Sequence, residues 1–495
     1  MKNLSKLMTG VSLAAMTMPA VAQQKPNIIF IYADDMGYND LQCYGSKVND
    51  TPNLDAMAKE GVRFTDFYSC SPVSAPSRAC LLTGRFAPRM GIRHVFFAHS
   101  FTGMPTSEVT MGQMLKEQGY ATAIYGKWHL GVRDQYLPLQ RGFDEFFGTY
   151  CSVDNPPFVY IDGNTPQTHT ANKDSTTQKY MEHAINFIER NKDKPFFCYV
   201  PFNMPHVPLA ASANFKGKSR NGLYGDVIME MDWAVGQIIK KVDELGLGEN
   251  TIICFSSDNG PWLSEGPYGG SAYPLYRGKG TTWDGGQRVP MIVRWKGHIK
   301  AGTTEKSVAC MADWFPTFAA ACNGKVPTDR YMDGYNILPV LLGTGKRANQ
   351  DFAYISSKAF KYPELQAYRS GDWKLKMPEP EVKGNYWQTD VPAHGIVLYN
   401  LRTDIGEQHD VAAKHPEIVK RLLAKIDSVK ATGAIADEMM FQFEFETDAL
   451  TSKQRLDNVL EAARKGVKPA SENGANILEY YKAQETFQKK HGSIF

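Results

Sequence analysis

The chain has 495 residues, of which 43% are hydrophobic and 12% aromatic. That is enough apolar material for a large buried core, at a length of about two to four ordinary domains. The 55 Lys+Arg against 52 Asp+Glu leave a net charge of only +3, which excludes a broadly basic nucleic-acid binder or membrane-surface protein. Beyond residue 22 there is no run of the ~20 apolar residues needed to cross a bilayer.

Residues 1–22 form a segment apart. Lys2 and Lys6 precede an apolar stretch from Leu7 to Met18, and Ala20-Val21-Ala22 has the small-residue spacing of a cleavage site. A signal peptide over 1–22 is expected, with a mature chain from Gln23 exported, in a bacterium, to the periplasm. No Cys directly follows the apolar stretch, so no lipid anchor is expected. The eight cysteines are too sparse for a disulfide scaffold and form no CxxC pair. Cys198 and Cys254 lie in apolar runs and read as core; Cys310 and Cys322 are a candidate disulfide pair.

The mature chain opens with Pro26-Asn27-Ile28-Ile29-Phe30-Ile31-Tyr32-Ala33, a short apolar run typical of a strand covered on both faces. It stops at Asp34-Asp35. Thr51-Pro52 then begins a helical pattern, with Thr51 as the expected N-cap. Three more such runs follow. Residues 121–125 end at Gly126-Lys127, 196–200 end near Pro205-His206, and 251–255 end at Ser256-Ser257-Asp258-Asn259. Helical patterns at 174–190 and 224–245 lie among them. Alternating strands and helices predict an α/β fold with a mostly parallel sheet. Near residue 350 the pattern changes to closely spaced strand-like runs at 352–356, 366–369, 372–376 and 396–400, then a helix over 416–430. This predicts a smaller C-terminal subdomain over 351–495, with an antiparallel sheet, a packed helix and a charged tail, beside a main domain over 23–350.

In open α/β sheets, ligands bind beyond the carboxyl ends of the strands. Four runs here end in chemically capable residues: Asp34 and Asp35, Lys127 and His129, His206, and Asp258 and Asn259. Together they point to one site. Asp34, Asp35, Asp258 and Asn259 are all oxygen donors, a set suited to Ca²⁺ or Mg²⁺ rather than zinc. Adjacent carboxylates also repel each other unless a cation lies between them.

The most specific stretch is Ser74-Ala75-Pro76-Ser77-Arg78-Ala79-Cys80-Leu81-Leu82-Thr83-Gly84-Arg85. It resembles the sulfatase family signature, in which Cys or Ser starts a C/S-x-P-x-R stretch followed by Thr-Gly-Arg. Cys70 offers a rival register with Pro72, but that register would need Arg at position 74. The resemblance extends over nearly all of the mature chain. Gly126-Lys127-Trp128-His129-Leu130-Gly131 is similar to the second family signature, Asp258-Asn259-Gly260 to the late metal pair, and Gly278 to Gly286 to the lysine loop. Asp333–Pro339 and Leu398–Leu401 are further family-like segments. The similarity leans towards the arylsulfatase A and N-acetylgalactosamine-6-sulfatase branch, in a bacterial, serine-type version.

The resemblance implies an alkaline-phosphatase-like α/β fold and a sulfuric ester hydrolase. It implies that Ser74 is oxidised to formylglycine by a serine-type maturating enzyme, and that Asp34, Asp35, Asp258, Asn259 and modified Ser74 hold one Ca²⁺. In the family, one oxygen of the hydrated aldehyde attacks sulfur and the other later drives sulfate out. On this view Arg78, one helical turn after Ser74, holds a formylglycine oxygen. Lys127 and Lys279 grip the sulfate, His129 is the base of the release step and His206 the acid for the leaving oxygen. The expected substrate is a sulfated glycan, of galactose or N-acetylgalactosamine type. Arg93, His94, Asp154, Asn155, Trp262, Tyr268 and His394 are candidate pocket residues, with His94 entered as substrate-binding; Ser152 is a loose match to a family serine near the sulfate. Two other readings stay open: a phosphate- or phosphonate-ester hydrolase of the same superfamily, and an inactive glycan-binding relative.

Overall fold

The computed structural model describes residues 25–92, 95–98, 100, 102–155, 158–356, 365–383 and 390–432. Residues 1–24, the tail from 433 and the pocket candidates Arg93 and His94 lie outside the described residues.

Asn27–Ala33 (β1) forms the strand expected from its β-branched and aromatic content, and all seven residues are buried. Its alternation splits the core in two. Ile28, Phe30 and Tyr32 face a cluster with Leu81, Trp314 and Phe318. Ile29, Ile31 and Ala33 face Phe187, Val227 and Ile238 on the other side. Burial on both faces explains why this run is continuously apolar.

Around β1 lie Ala121–Lys127 (β2), Phe196–Pro201 (β3) and Thr251–Ser257 (β4). β1 pairs in parallel with both β3 and β4, and β3 pairs in parallel with β2. The four runs singled out in the sequence are therefore neighbours, in the order β4-β1-β3-β2, with their carboxyl ends at one edge. They form the middle of a ten-stranded mixed sheet whose outer strands include antiparallel pairs. The helices Pro52–Glu60 (α1), Ser74–Thr83 (α2), Thr176–Arg190 (α3) and Gly222–Glu244 (α4) cover it.

A separate sheet of Asp351–Ile355, Leu365–Ser370, Trp373–Lys376 and Val397–Asn400 is antiparallel throughout. The helix Pro416–Ala431 buries Leu422 and Ile426, and both side chains belong to the core cluster that contains Leu375 and Leu398 of this sheet. The fold is thus the mostly parallel α/β architecture with a smaller antiparallel sheet.

Two local expectations fail. Thr51 makes no side-chain cap on α1. Its hydroxyl instead accepts from Gln42 N at 2.9 Å. The free amides of Asn53 and Leu54 are taken by the Asp232 carboxylate of α4, at 3.1 and 2.8 Å. A buried carboxylate from another helix has replaced the local cap. Cys310 and Cys322 are not paired: both are buried free thiols. Cys322 Sγ lies 3.9 Å from Met114 Sδ, whereas Cys310 Sγ faces Arg347 Nη2 at 3.9 Å. No helix among the described residues is long and apolar enough to cross a membrane.

Candidate active site

The backbone of the site is laced between strand ends. Asp34 N donates to Met204 O, in the segment after β3, at 3.0 Å. Asp35 N donates to Asp258 Oδ1 at 3.1 Å, and Met36 N to Ser257 Oγ at 2.9 Å. Asp35 has φ 69°, a left-handed conformation that Asp tolerates better than most residues. These bonds turn the carboxylates of Asp34, Asp35 and Asp258 towards each other. One oxygen from each lies within 4.8 Å of the others, and all three residues are buried.

Asn259 completes the set. Its Nδ2 donates to Asp35 Oδ1 at 2.7 Å and to Gly260 O at 2.9 Å. Its Oδ1 is buried without a hydrogen-bond donor. A buried acceptor left bare beside three carboxylates is costly unless something positive meets it. The residues present fit a hard cation with oxygen ligands.

Ser74 is the first residue of α2. Its Oγ donates to Asp34 Oδ1 at 3.0 Å, makes a short bond to Asp258 Oδ2, and accepts from Lys127 Nζ at 3.0 Å. One helical turn places Arg78 on the same face, with Nε 3.4 Å from Ser74 Oγ. The guanidinium is fully buried; Nε and Nη2 donate to Asp258 Oδ2 at 3.0 and 2.7 Å. Arg78 therefore holds the Asp258 carboxylate more closely than it holds Ser74.

Lys127 ends β2, and its Nζ lies 2.7 Å from Asp34 Oδ2. Gly126 before it has φ 142°, and a Cβ there would stand 1.9 Å from Pro201 O. Only glycine lets β2 approach β3 closely enough to deliver Lys127. Lys279 reaches the other carboxylate, at 2.7 Å from Asp35 Oδ2, with its Nζ 4.2 Å from the centre of the Trp262 ring. His206 Nε2 is 3.6 Å from the same Asp35 oxygen. Its Nδ1 lies 2.6 Å from Val207 O, and a carbonyl can only accept, so Nδ1 carries a proton and Nε2 faces the site.

His129 Nε2 lies 2.8 Å from Phe96 O. By the same argument Nε2 carries the proton, and Nδ1 is a bare lone pair, buried without a partner. Burial, with the nearby charges of Lys127 and Arg78, holds this imidazole well below its ordinary pKa and hence neutral. Burial works against the charge of Asp34, but Lys127, His206 and Arg78 outweigh it and keep the carboxyl below its usual range.

The structure therefore gathers Asp34, Asp35, Ser74, Arg78, Lys127, His206, Asp258, Asn259 and Lys279 into one bonded cluster, with His129 in the field of Lys127 and Arg78. Of the pocket candidates, Trp262 lies under Lys279 and edge-on to His206, at 5.2 Å between ring centres. Ser152 Oγ is buried without a hydrogen-bond partner. Asp154 and Asn155 bond to each other, and His394 pairs with Glu379 at 3.5 Å.

One residue at the site escaped the sequence reading. Asp40 is buried and accepts from Gly37 N at 2.7 Å, Tyr224 OH at 2.5 Å and Ser271 N at 3.0 Å. It ties the loop that carries Asp35 to the loop that carries Trp262. Burial raises its pKa to about 7, only partly opposed by these donors. A carboxyl raised in the folded state favours folding when protonated, so this contribution is lost as pH rises from about 4 to 7. Asp40→Asn is expected to flatten the pH dependence of the melting temperature over that window; an unchanged slope would remove Asp40 as its source.

The fold and site together define a protein of the α/β class with a buried set of oxygen donors, fit for a hard cation, beside a serine. The comparisons name the family. The sulfatase family model matches residues 26–324. The chain is 38% identical to N-acetylgalactosamine-6-sulfatase of Canis lupus familiaris, over 72% of this chain and 73% of that one. It is 35% identical to arylsulfatase A of Homo sapiens, over 83% and 89%. A solved structure from work on the metabolism of multiple glycosaminoglycans by Bacteroides thetaiotaomicron matches with TM-score 0.75 and 30% identity, over 82% of this chain and 100% of that one. The chain belongs to the sulfatase family and is a sulfuric ester hydrolase.

Proposed function

We propose that this sulfatase removes sulfate esters from glycans of galactose or N-acetylgalactosamine type, using a formylglycine made from Ser74 and one Ca²⁺ held by Asp34, Asp35, Asp258 and Asn259. We further propose that it is exported after removal of residues 1–22, and that a serine-type maturating enzyme acts on it. Residues 23–350 form the catalytic domain and 351–495 the C-terminal subdomain. The relatives' names support the sugar class. The observation that carries the reading is the position of Ser74 Oγ, within bonding distance of Asp34, Asp258 and Lys127 at once.

Charge supports it as well. The carboxylates of Asp34, Asp35 and Asp258 are matched one for one by Arg78, Lys127 and Lys279. A divalent cation makes the site positive overall, which suits an anionic ester and a doubly anionic product. When bound, Ca²⁺ supplies Lewis-acid polarisation, and the hydrated aldehyde supplies a nucleophile with a second hydroxyl. The chain's own residues do the rest. Lys127 and Lys279, now paired with Asp34 and Asp35, would be free to grip the sulfate oxygens once a cation balanced those carboxylates. His206 Nε2 gives a proton to the leaving oxygen. His129 Nδ1, bare and neutral, takes a proton in the release step.

The reading is tested on enzyme made in a host with serine-type maturation. Chelation should abolish turnover of 4-nitrophenyl sulfate, and one equivalent of Ca²⁺ should restore it. His129→Ala and His206→Ala should each lower kcat by about 10²–10⁴-fold with the fold retained. Two tightly held transition metals per chain, or preference for a phosphate ester, would favour the phosphate-ester reading.

A further inference from the structure

Lys279 stands on a tightly turned loop that runs into the single helical turn Asp284–Gln287. From Gly278 to Gly286 the backbone is pressed against its surroundings. Lys279 N donates to Pro261 O and Gly280 N to Pro72 O, both at 2.9 Å. A Cβ at Gly278 would lie 2.4 Å from Pro261 O. Such a loop holds a lysine at a fixed point only if its other face is held too.

That face is gripped by the C-terminal sheet. Asp284 is fully buried, with Tyr354 OH at 2.7 Å and Lys374 Nζ at 2.8 Å from Oδ1. The same Lys374 Nζ lies 2.7 Å from Glu407 Oε1, and Glu407 Oε2 accepts from Asp284 N at 2.8 Å. Lys374 also sits 3.9 Å from the centre of the Tyr354 ring. Two residues earlier, Thr282 Oγ1 donates to Gln366 Oε1 at 2.9 Å and accepts from Lys376 Nζ at 2.7 Å. Lys374 is thus the cation that allows two buried carboxylates to close around one end of the lysine loop. Asp284 Oδ2 also has Arg288 Nη1 at 3.3 Å and Tyr68 OH at 3.0 Å, so without Lys374 it is Glu407 that would face a second carboxylate with no cation between them.

We propose that Lys374 is a positioning residue for sulfate recognition, and that through it the C-terminal sheet fixes Lys279 at the active site. Nothing in Lys374 itself touches the reacting atoms. It acts by holding Asp284 and Glu407, and so the course of the backbone that delivers Lys279 to Asp35 and Trp262. The inference rests on the reading of Lys279 as a sulfate ligand.

The test compares matured wild-type enzyme with three variants, reading KM and kcat for 4-nitrophenyl sulfate, the inhibition constant of inorganic sulfate, and the melting temperature. Lys374→Met is combined with Glu407→Gln, so that no excess buried charge drives unfolding. This double variant is expected to raise both KM and the sulfate constant about tenfold, with kcat changed less than about threefold. Thr282→Val is a milder change that keeps the ion pair. It cuts the second tie between loop and sheet and leaves Gln366 and Lys376 short of a partner, so it is expected to move the same two constants about threefold with a modest fall in melting temperature, and it decides whether the sheet positions the loop if the double variant does not fold. Lys279→Ala is the control. Unchanged sulfate affinity in the Lys374 and Thr282 variants, against weakened affinity in Lys279→Ala, overturns the positioning role alone. Unchanged affinity in Lys279→Ala overturns the lysine's own role and the inference with it.

Discussion

Ser74→Ala is expected to abolish turnover of sulfate esters, by at least about 10⁴-fold, in a protein that still folds and still binds metal. The hydroxyl bonds to Asp34, Asp258 and Lys127 but supports no packing that alanine would not retain, since it is the small first residue of α2. Arg78 keeps its two bonds to Asp258 without it. The loss is therefore of chemistry: circular dichroism should match the wild type, and Ca²⁺ should still be held by Asp34, Asp35, Asp258 and Asn259, less tightly for want of the residue 74 oxygen. Ser74→Cys provides a second arm: it exchanges one maturation route for another, so its activity should follow the maturing enzyme of the host. Residual turnover of Ser74→Ala within about 100-fold of wild type would move the nucleophile elsewhere.

Asp258→Asn should have the next largest effect, on both stability and activity. In the metal-free site three carboxylates balance Arg78, Lys127 and Lys279. Removing one charge leaves a buried cation in excess. Arg78 then has only Asp34 as a charged partner, at 3.4 Å. Breaking a buried pair of this kind costs about 3–5 kcal/mol. The same change replaces a charged metal ligand by a neutral one and removes the carboxylate that accepts from Ser74. Chemical denaturation in metal-free buffer should show the stability loss, elemental analysis the loss of Ca²⁺, and turnover should fall to the chelated level. A variant that holds Ca²⁺ as tightly as wild type would remove Asp258 from the ligand set.

Much of this site was legible because its signals are local. Each of β1 to β4 is a short apolar run that stops at a polar residue. Parallel strands in register must present those ends at one edge. The spacing from Ser74 to Arg78 needed only the helical repeat. What stayed hidden depends on partners distant in sequence. Thr51 was a sound local cap, but Asp232, some 180 residues on, supplies both acceptors. Asp40 reads as one more loop aspartate until Tyr224 and Ser271 close on it. Nor could periodicity reveal the bare Nδ1 of His129, which follows from the Phe96 carbonyl occupying Nε2. Whether Cys310 and Cys322 pair was likewise open in the sequence, and their sulfurs turn to different partners, Arg347 and Met114.

The central claim is that Ser74 becomes the reacting aldehyde. It is tested most directly by the mass of the peptide that contains Ser74, taken from active enzyme purified from its native host. The peptide is expected to be lighter than the encoded one by two hydrogens and reactive towards carbonyl reagents. An unmodified serine peptide from a preparation that turns over sulfate esters would contradict it.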